Sequence, residues 1–134
     1  MAEKILLEIV TPEKKVLSES VDIVVAPGEL GEFGVLPGHI PFLCKLKIGE
    51  LRYRLGQVAQ HVAIMGGYAE VLNNQVTILA TAAEPATEID VVRAKAARER
   101  AERRISETKD KLVFTRAQAA LQRAIARLKV AERQ

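Results

Sequence analysis

The sequence predicts an α+β chain in two segments: an all-β sandwich or flattened barrel over residues 1–86, then an antiparallel α-helical hairpin over residues 87–134. The first segment consists of short apolar runs separated by glycine, proline or asparagine, which is typical of many short antiparallel strands. The second contains neither glycine nor proline and is rich in alanine and arginine. Strands and helices do not alternate, and this argues against a parallel α/β fold.

The strands are predicted from β-branched and apolar runs, and the turns from the residues between them. Gly28, Gly31, Gly34 and Gly38 fall within eleven residues and indicate repeated bends or bulges. Asn73–Asn74 predicts a tight hairpin turn and Gly66–Gly67 a bend or bulge. The predicted runs are Ile5–Val10, Val16–Ala26, Phe42–Leu46, Gly49–Leu55, Val58–Met65, Tyr68–Leu72 and Gln75–Ala80.

The helical hairpin is predicted from capping residues and from apolar periodicity. Thr87 and Asp90 have the spacing of a capping box, so we expect the first helix to start with Thr87 as its N-cap. The polar segment 106–110 predicts the end of that helix, and a second helix is expected to start between Asp110 and Phe114. Alanines spaced for one face of each helix predict that the two pack alanine face to alanine face. Those alanines are Ala94, Ala97 and Ala101 on the first helix and Ala117, Ala120 and Ala124 on the second.

Composition limits the classes of function. With 49% hydrophobic and 28% charged residues, the 134-residue chain is typical of a soluble globular protein, and no apolar run approaches the roughly 18 residues of a membrane span. The N-terminus lacks a signal peptide, and the single Cys44 excludes an internal disulfide, so a reducing compartment is expected. Residues 1–88 carry a net charge of −4 and residues 89–134 a net charge of +7, which indicates an acidic or anionic partner for the helices.

Residues of catalytic type do not form a catalytic constellation. The glycine-rich segment lacks the Gly-Lys-Ser/Thr ending of a phosphate-binding loop. His39 has no nucleophile or carboxylate pattern around it, and His61 is expected on the surface of a strand. Two histidines and one cysteine are too few for an ordinary zinc site, so no metal site is predicted.

The arginines of the helices carry more information. Arg93, Arg100 and Arg104 share one face of the first helix, and Arg123 and Arg127 are one turn apart on the second. A solvated basic face explains this spacing, and so does a converging site for phosphate groups. Nucleic-acid binding by a basic hairpin is the alternative function. The 4% aromatic content and the six interspersed acids argue against it.

Three features together resemble the epsilon subunits of bacterial F-type ATP synthases. They are Gly31-Glu-Phe-Gly-Val-Leu-Pro-Gly-His-Ile-Pro41, Gly66-Gly-Tyr-Ala-Glu-Val71 and the alanine- and arginine-rich helix pair, and the resemblance runs essentially end to end. It implies a non-catalytic rotor subunit whose sandwich, of about ten strands, docks on the gamma subunit and the c-ring. Glu32 and His39 would lie at or near the ring contact. It also implies a peripheral location on the cytoplasmic face of the bacterial inner membrane, within the complex.

The resemblance further implies a switch in the helices. The hairpin would exist folded on the sandwich or extended along gamma, and the extended form would inhibit ATP hydrolysis by bringing its basic second helix to the catalytic beta subunit. Some members bind ATP in the folded form through Ile/Leu-Asp-x-x-Arg-Ala and arginines of the second helix, and this chain has Ile89-Asp90-Val-Val-Arg93-Ala94. ATP would be a regulatory ligand and not an obligatory cofactor. The accompanying residues are Glu84, Arg100, Arg123 and Arg127; the arginines would hold phosphates, and Glu84 and Asp90 would address the adenosine end or position the arginines.

Overall fold

The computed structural model describes residues 3–133 as eight β-strands followed by two α-helices. A single turn of 3₁₀-helix at Ala86–Glu88 joins the two parts. The strands are β1 (Ile5–Val10), β2 (Lys15–Val21), β3 (Ile23–Gly28), β4 (Gly31–Val35), β5 (Phe42–Leu55), β6 (Val58–Leu72), β7 (Gln75–Ala80) and β8 (Ala83–Pro85). The helices are α1 (Val91–Glu107) and α2 (Lys111–Ala131). The predicted β-sandwich followed by a helical hairpin is confirmed.

The strands form one unclosed sheet that folds over the main core. Their order is β2-β1-β7-β6-β5-β3-β4, with β8 paired to β6, and the β1–β7 pair is parallel while the others are antiparallel. Strand β1 shows the alternation of a half-buried strand, because Ile5, Leu7 and Ile9 are fully buried and the residues between them are not. These side chains meet the inward-facing residues of β3, β6 and β7 in the main core.

Residues 3–133 form eight strands, whereas the resemblance implied about ten. Two long strands, β5 and β6, replace four of the predicted runs, and the predicted run Val16–Ala26 divides into β2 and β3. Strands β5 and β6 pair in one constant register from Phe42↔Val71 to Leu55↔Val58. Gly66 and Gly67 have φ values of 81° and 136°, so of the predicted bend or bulge the structure shows a bend without a shift of register. Strand β6 pairs with β8 before this bend and with β7 after it, and so continues through the bend without ending.

The start of the first helix differs from the prediction. Thr87 lies inside the 3₁₀ turn, and the N-cap of α1 is Asp90, whose Oδ1 accepts a hydrogen bond from the backbone N–H of Arg93 at 3.0 Å. The physical reason is that Ala86 and Ile89 on either side of Thr87 are buried against the sandwich, so the chain turns there before the helix begins. The predicted start of α2 is confirmed, since Asp110 caps it by accepting from the N–H groups of Leu112 and Val113.

The hairpin packs through alanines, as predicted. Ala94 and Ala101 of α1 and Ala117 and Ala124 of α2 are almost fully buried. Helix α2 also packs against β5, β6 and the 3₁₀ turn. A second, small apolar cluster lies there, formed by Ala63, Met65, Ala86, Ile89 and Val130. The contact between the hairpin and the sandwich therefore rests largely on α2.

Candidate anion-binding site between the two helices

A cavity of about 500 Å³ lies between α1, α2 and the junction that follows β8. Five alanines line it, namely Ala94, Ala97, Ala101, Ala117 and Ala120. Small side chains at these positions keep the two helices close while leaving space that larger residues would fill. The volume falls within the roughly 300–1,000 Å³ typical of small-molecule sites.

Five arginines border this cavity, which we call the arginine cavity. Arg93, Arg100 and Arg104 come from α1, where a spacing of seven and then four residues keeps them on one face. Arg123 and Arg127 come from α2 and are one helical turn apart. Two elements far apart in the chain therefore bring their guanidinium groups to one place.

Most of these charges are uncompensated. Within residues 3–133, only Arg127 of the five has an ion-pair partner within 4 Å: its Nε donates to Glu84 Oε2 at 2.7 Å. Both side chains of that pair are about 30% exposed, so it is neither a fully solvated nor a deeply buried pair. The other guanidinium groups are left with free donors toward the cavity.

Three carboxylates, those of Glu84, Glu88 and Asp90, lie at the junction end of the cavity. Glu84 is held by Arg127, while one oxygen of Asp90 caps α1. A ligand's phosphates would be repelled by these groups and attracted by the arginines beyond them, whereas hydroxyl or amino donors would be accepted by the carboxylates. The arrangement therefore suits an elongated ligand with an anionic end and a hydrogen-bond-donating end.

Arginine is well suited to the anionic end. Its planar guanidinium donates two parallel hydrogen bonds to one phosphate group, and such charge-assisted bonds are worth roughly 1.5–3 kcal/mol each. With five arginines against three acids, the lining also carries an excess of positive charge.

The structure brings together seven of the eight residues expected for an ATP site. Ile89 is the exception: it is 7% exposed and packs with Met65 and Val130 outside the cavity. Its role in the fold is to anchor the turn that presents Asp90. Sequence reasoning missed Glu88 and Arg104 as lining residues, although the helical spacing of Arg104 after Arg93 and Arg100 already indicated it. The seven are Glu84, Asp90, Arg93, Ala94, Arg100, Arg123 and Arg127.

The two residues expected at a rotor-ring contact have different surroundings. Glu32 on β4 accepts two hydrogen bonds from Arg52, at 2.8 and 3.2 Å, and Arg52 holds the pKa of its carboxyl below the usual value. It borders a groove against α2 together with Lys129. His39 lies in the loop between β4 and β5, with Nδ1 2.7 Å from the carbonyl oxygen of Ile40 and its ring against Phe42.

Exposed apolar side chains are concentrated in the same stretch of chain. We call this set the loop patch: Leu30, Leu36, Ile40, Phe42 and Leu43, which are 104%, 57%, 73%, 37% and 71% exposed. Large exposed apolar residues commonly bind a partner, and these five lie on the β3–β4 turn, the β4–β5 loop and the start of β5. The glycine-rich sequence indicated the loop, but the prediction named only Glu32 and His39.

Residues 3–133 contain no group of three or more histidine, cysteine or acidic residues placed to hold a metal ion. They also contain no helix with the length and hydropathy needed to cross a membrane.

Comparisons with known proteins agree with this architecture. The family model described as the ATP synthase delta/epsilon chain beta-sandwich domain matches residues 4–86, and that of the long alpha-helix domain matches residues 87–132. The ATP synthase epsilon chain of Syntrophobacter fumaroxidans is 82% identical over 133 residues, covering 99% of each chain. The corresponding chain of Nitratidesulfovibrio vulgaris is 56% identical over 130 residues, covering 97% of each.

Solved structures show the same fold within larger assemblies. A chain of the Euglena gracilis mitochondrial ATP synthase OSCP/F1/c-ring structure superimposes with a TM-score of 0.84 at 28% identity, covering 98% of this chain and 83% of that one. A chain of the Tetrahymena thermophila central stalk/c-ring structure gives 0.67 at 16% identity, with 97% and 98% covered, and so shows similarity of fold alone.

Proposed function

Because this chain belongs to the ATP synthase delta/epsilon family, we propose that it is the rotor subunit of a bacterial F-type ATP synthase whose helical hairpin senses ATP and restrains hydrolysis. Membership makes it a non-catalytic subunit of the central stalk. Its location is peripheral to the membrane, through the complex. The parts that we add are the contacts with gamma, beta and the c-ring that couple the catalytic head to the ring, the ATP response, the restraint of hydrolysis and the position on the cytoplasmic face.

One observation carries the ATP proposal: arginines from both helices and carboxylates from the junction face the same cavity. ATP is an elongated ligand with a triphosphate at one end and hydroxyl and amino donors at the other. The arginines suit the triphosphate, and Glu84 with Asp90 suits the donors of the adenosine end. Ile89 supports the site only indirectly, through the turn.

The cavity exists only while α1 and α2 pack together, and this links the ligand to the state of the hairpin. Small alanine faces bury little apolar area, so the folded hairpin is held weakly, at roughly 25 cal/mol per Å². A ligand bound by the folded form alone stabilises it by about 1.4 kcal/mol for each tenfold excess over its dissociation constant. ATP would then keep the hairpin folded, and ATP depletion would release it.

The released hairpin is long enough to act at a distance. At about 1.5 Å per residue, a helix of 21 residues such as α2 is roughly 30 Å long. Its cationic surface suits an acidic segment of the catalytic beta subunit, where complementary charge would guide docking. On the sandwich, the loop patch with His39 would meet the rotor ring or gamma, and Glu32 would lie beside that contact.

The proposal is tested by ATP hydrolysis in the whole complex reconstituted with wild-type chain, Arg123→Ala or Arg103→Ala. Arg103 is exposed on α1 and lies outside the arginine cavity. Arg103→Ala therefore removes one positive charge from the hairpin, as Arg123→Ala does, but leaves the cavity lining intact. We expect Arg123→Ala to keep the complex inhibited at ATP concentrations that release the wild-type and Arg103→Ala complexes. Identical release in all three would refute ATP sensing. A chain that does not co-purify with gamma would refute the rotor assignment.

A further inference from the structure

A second polar contact between the hairpin and the sandwich lies at the end of α2, apart from the arginine cavity. Its centre is Glu50 on β5, which is 6% exposed and is the one buried charged residue among residues 3–133. A carboxylate removed from water is retained only when cations or donors compensate for its lost hydration. Its partners therefore show what the position is built to hold.

Glu50 Oε2 has two partners, one from each part of the molecule. Arg133, which follows α2, donates from its Nε at 3.2 Å, and His61 on β6 places Nδ1 at 3.2 Å from the same oxygen. Nδ1 of His61 is buried and makes no hydrogen bond, so Arg133 is the residue that donates a hydrogen bond to Glu50 Oε2. The sequence placed His61 on a strand surface, but its side chain is only 15% exposed.

The charges around this cluster are divided unequally between hairpin and sandwich. The hairpin brings cations, Arg133 to Glu50 and Lys129 to the neighbourhood of Glu32. The sandwich brings the two carboxylates together with Arg52, which pairs with Glu32, and Lys47. Glu132, next to Arg133, is exposed to solvent. Any added positive charge on the sandwich side would weaken the attraction for the end of α2.

We propose that Glu50 and Arg133 form a latch that holds the end of α2 on the sandwich. Glu50 is buried on β5, and its Oε2 lies 3.2 Å from Nε of Arg133, so loss of this pair frees the end of α2 and favours the released hairpin. The latch rests on the proposed mobility of the hairpin, but it uses none of the residues of the arginine cavity.

The test measures hairpin opening by fluorescence energy transfer. Dyes are attached at Gln57→Cys in the β5–β6 turn and Gln118→Cys on α2, both exposed, in a Cys44→Ser background of the full chain. The Arg133 side chain is 46% exposed, so Arg133→Gln should fold normally. We expect this variant to raise the fraction of open hairpin roughly fivefold, and Arg103→Gln to leave that fraction unchanged.

The latch is refuted if Arg133→Gln leaves the open fraction as low as Arg103→Gln does. Adding ATP to the same samples separates this inference from the proposed function. If ATP changes the open fraction but Arg133→Gln does not, the latch is refuted and ATP sensing stands. If Arg133→Gln changes the open fraction but ATP does not, the latch is supported and ATP sensing is refuted.

Discussion

Asp90 caps α1 and also lines the arginine cavity, and a matched pair of substitutions separates these two roles. Its Oδ1 accepts the N–H of Arg93 at 3.0 Å and so caps α1, and the same side chain lines the arginine cavity. Asparagine caps a helix about as well as aspartate, whereas alanine loses about 1 kcal/mol. Asp90→Ala should therefore destabilise the start of α1 by about 1 kcal/mol and Asp90→Asn by a few tenths.

Hydrogen exchange at the first turn of α1 measures the capping part. A loss of about 1 kcal/mol corresponds to roughly fivefold faster exchange in Asp90→Ala, with little change in Asp90→Asn. Asp110 provides the control, because it caps α2 through Leu112 and Val113 and does not line the cavity. Asp110→Ala and Asp110→Asn should repeat the stability pattern at the start of α2.

ATP titration measures the ligand part. If the carboxylate of Asp90 accepts a donor of the ligand, Asp90→Asn should weaken ATP binding about tenfold, and Asp110→Asn should leave it unchanged. Equal destabilisation by Asp90→Ala and Asp90→Asn would show that the capping argument is wrong. Unchanged ATP affinity in Asp90→Asn would show that Asp90 acts through the helix alone.

Two further predictions concern the sandwich. Gly67→Ala should lower the free energy of unfolding, measured in urea, by at least about 3 kcal/mol, because φ is 136° and an added Cβ would lie 2.0 Å from Leu79 O. Gly31→Ala is the control, since φ is 140° but nothing lies within 4 Å of an added Cβ, and it should lower the free energy of unfolding by less. Equal losses in the two variants would contradict the steric argument. Burial, together with the nearby Glu19, raises the pKa of Tyr53 to about 12. Because the folded-state pKa lies above the ordinary value of 10.0, this contribution to stability is complete below pH 10 and is lost as the pH rises toward 12. Tyrosinate absorbance in a Tyr68→Phe background isolates Tyr53, and a midpoint near pH 10 would contradict the burial argument.

The sequence predicted those features that depend on local chemistry or on helical period. The Asn73–Asn74 turn is confirmed, since both residues have positive φ, and the alanine faces meet as expected. Thr87 was wrong as a cap because burial of Ala86 and Ile89, which depends on contacts with the distant sandwich, decides where the chain turns. Bends at the glycines were predicted, but whether a bend ends a strand depends on pairing with neighbours.

The polar sites show the same contrast between features that local sequence predicts and features that depend on distant contacts. Helical spacing placed the arginines of each helix on one face, and the antiparallel hairpin brought the two faces together. The Glu50 cluster had no local signal: Arg133 lies 83 positions from Glu50, and nothing in either neighbourhood indicates the other. Only the docking of α2 on β5 and β6 brings them into contact.

Calorimetric titration of the isolated chain with ATP measures directly whether the arginine cavity binds the nucleotide, with Arg123→Ala and Arg103→Ala as the matched pair. We expect saturable one-to-one binding by the wild type and by Arg103→Ala. Arg123→Ala should bind about tenfold or more weakly, because one charge-assisted contact is lost. Absence of saturable binding at millimolar ATP, or equal affinity of the two variants, would contradict the claim that the arginine cavity binds ATP.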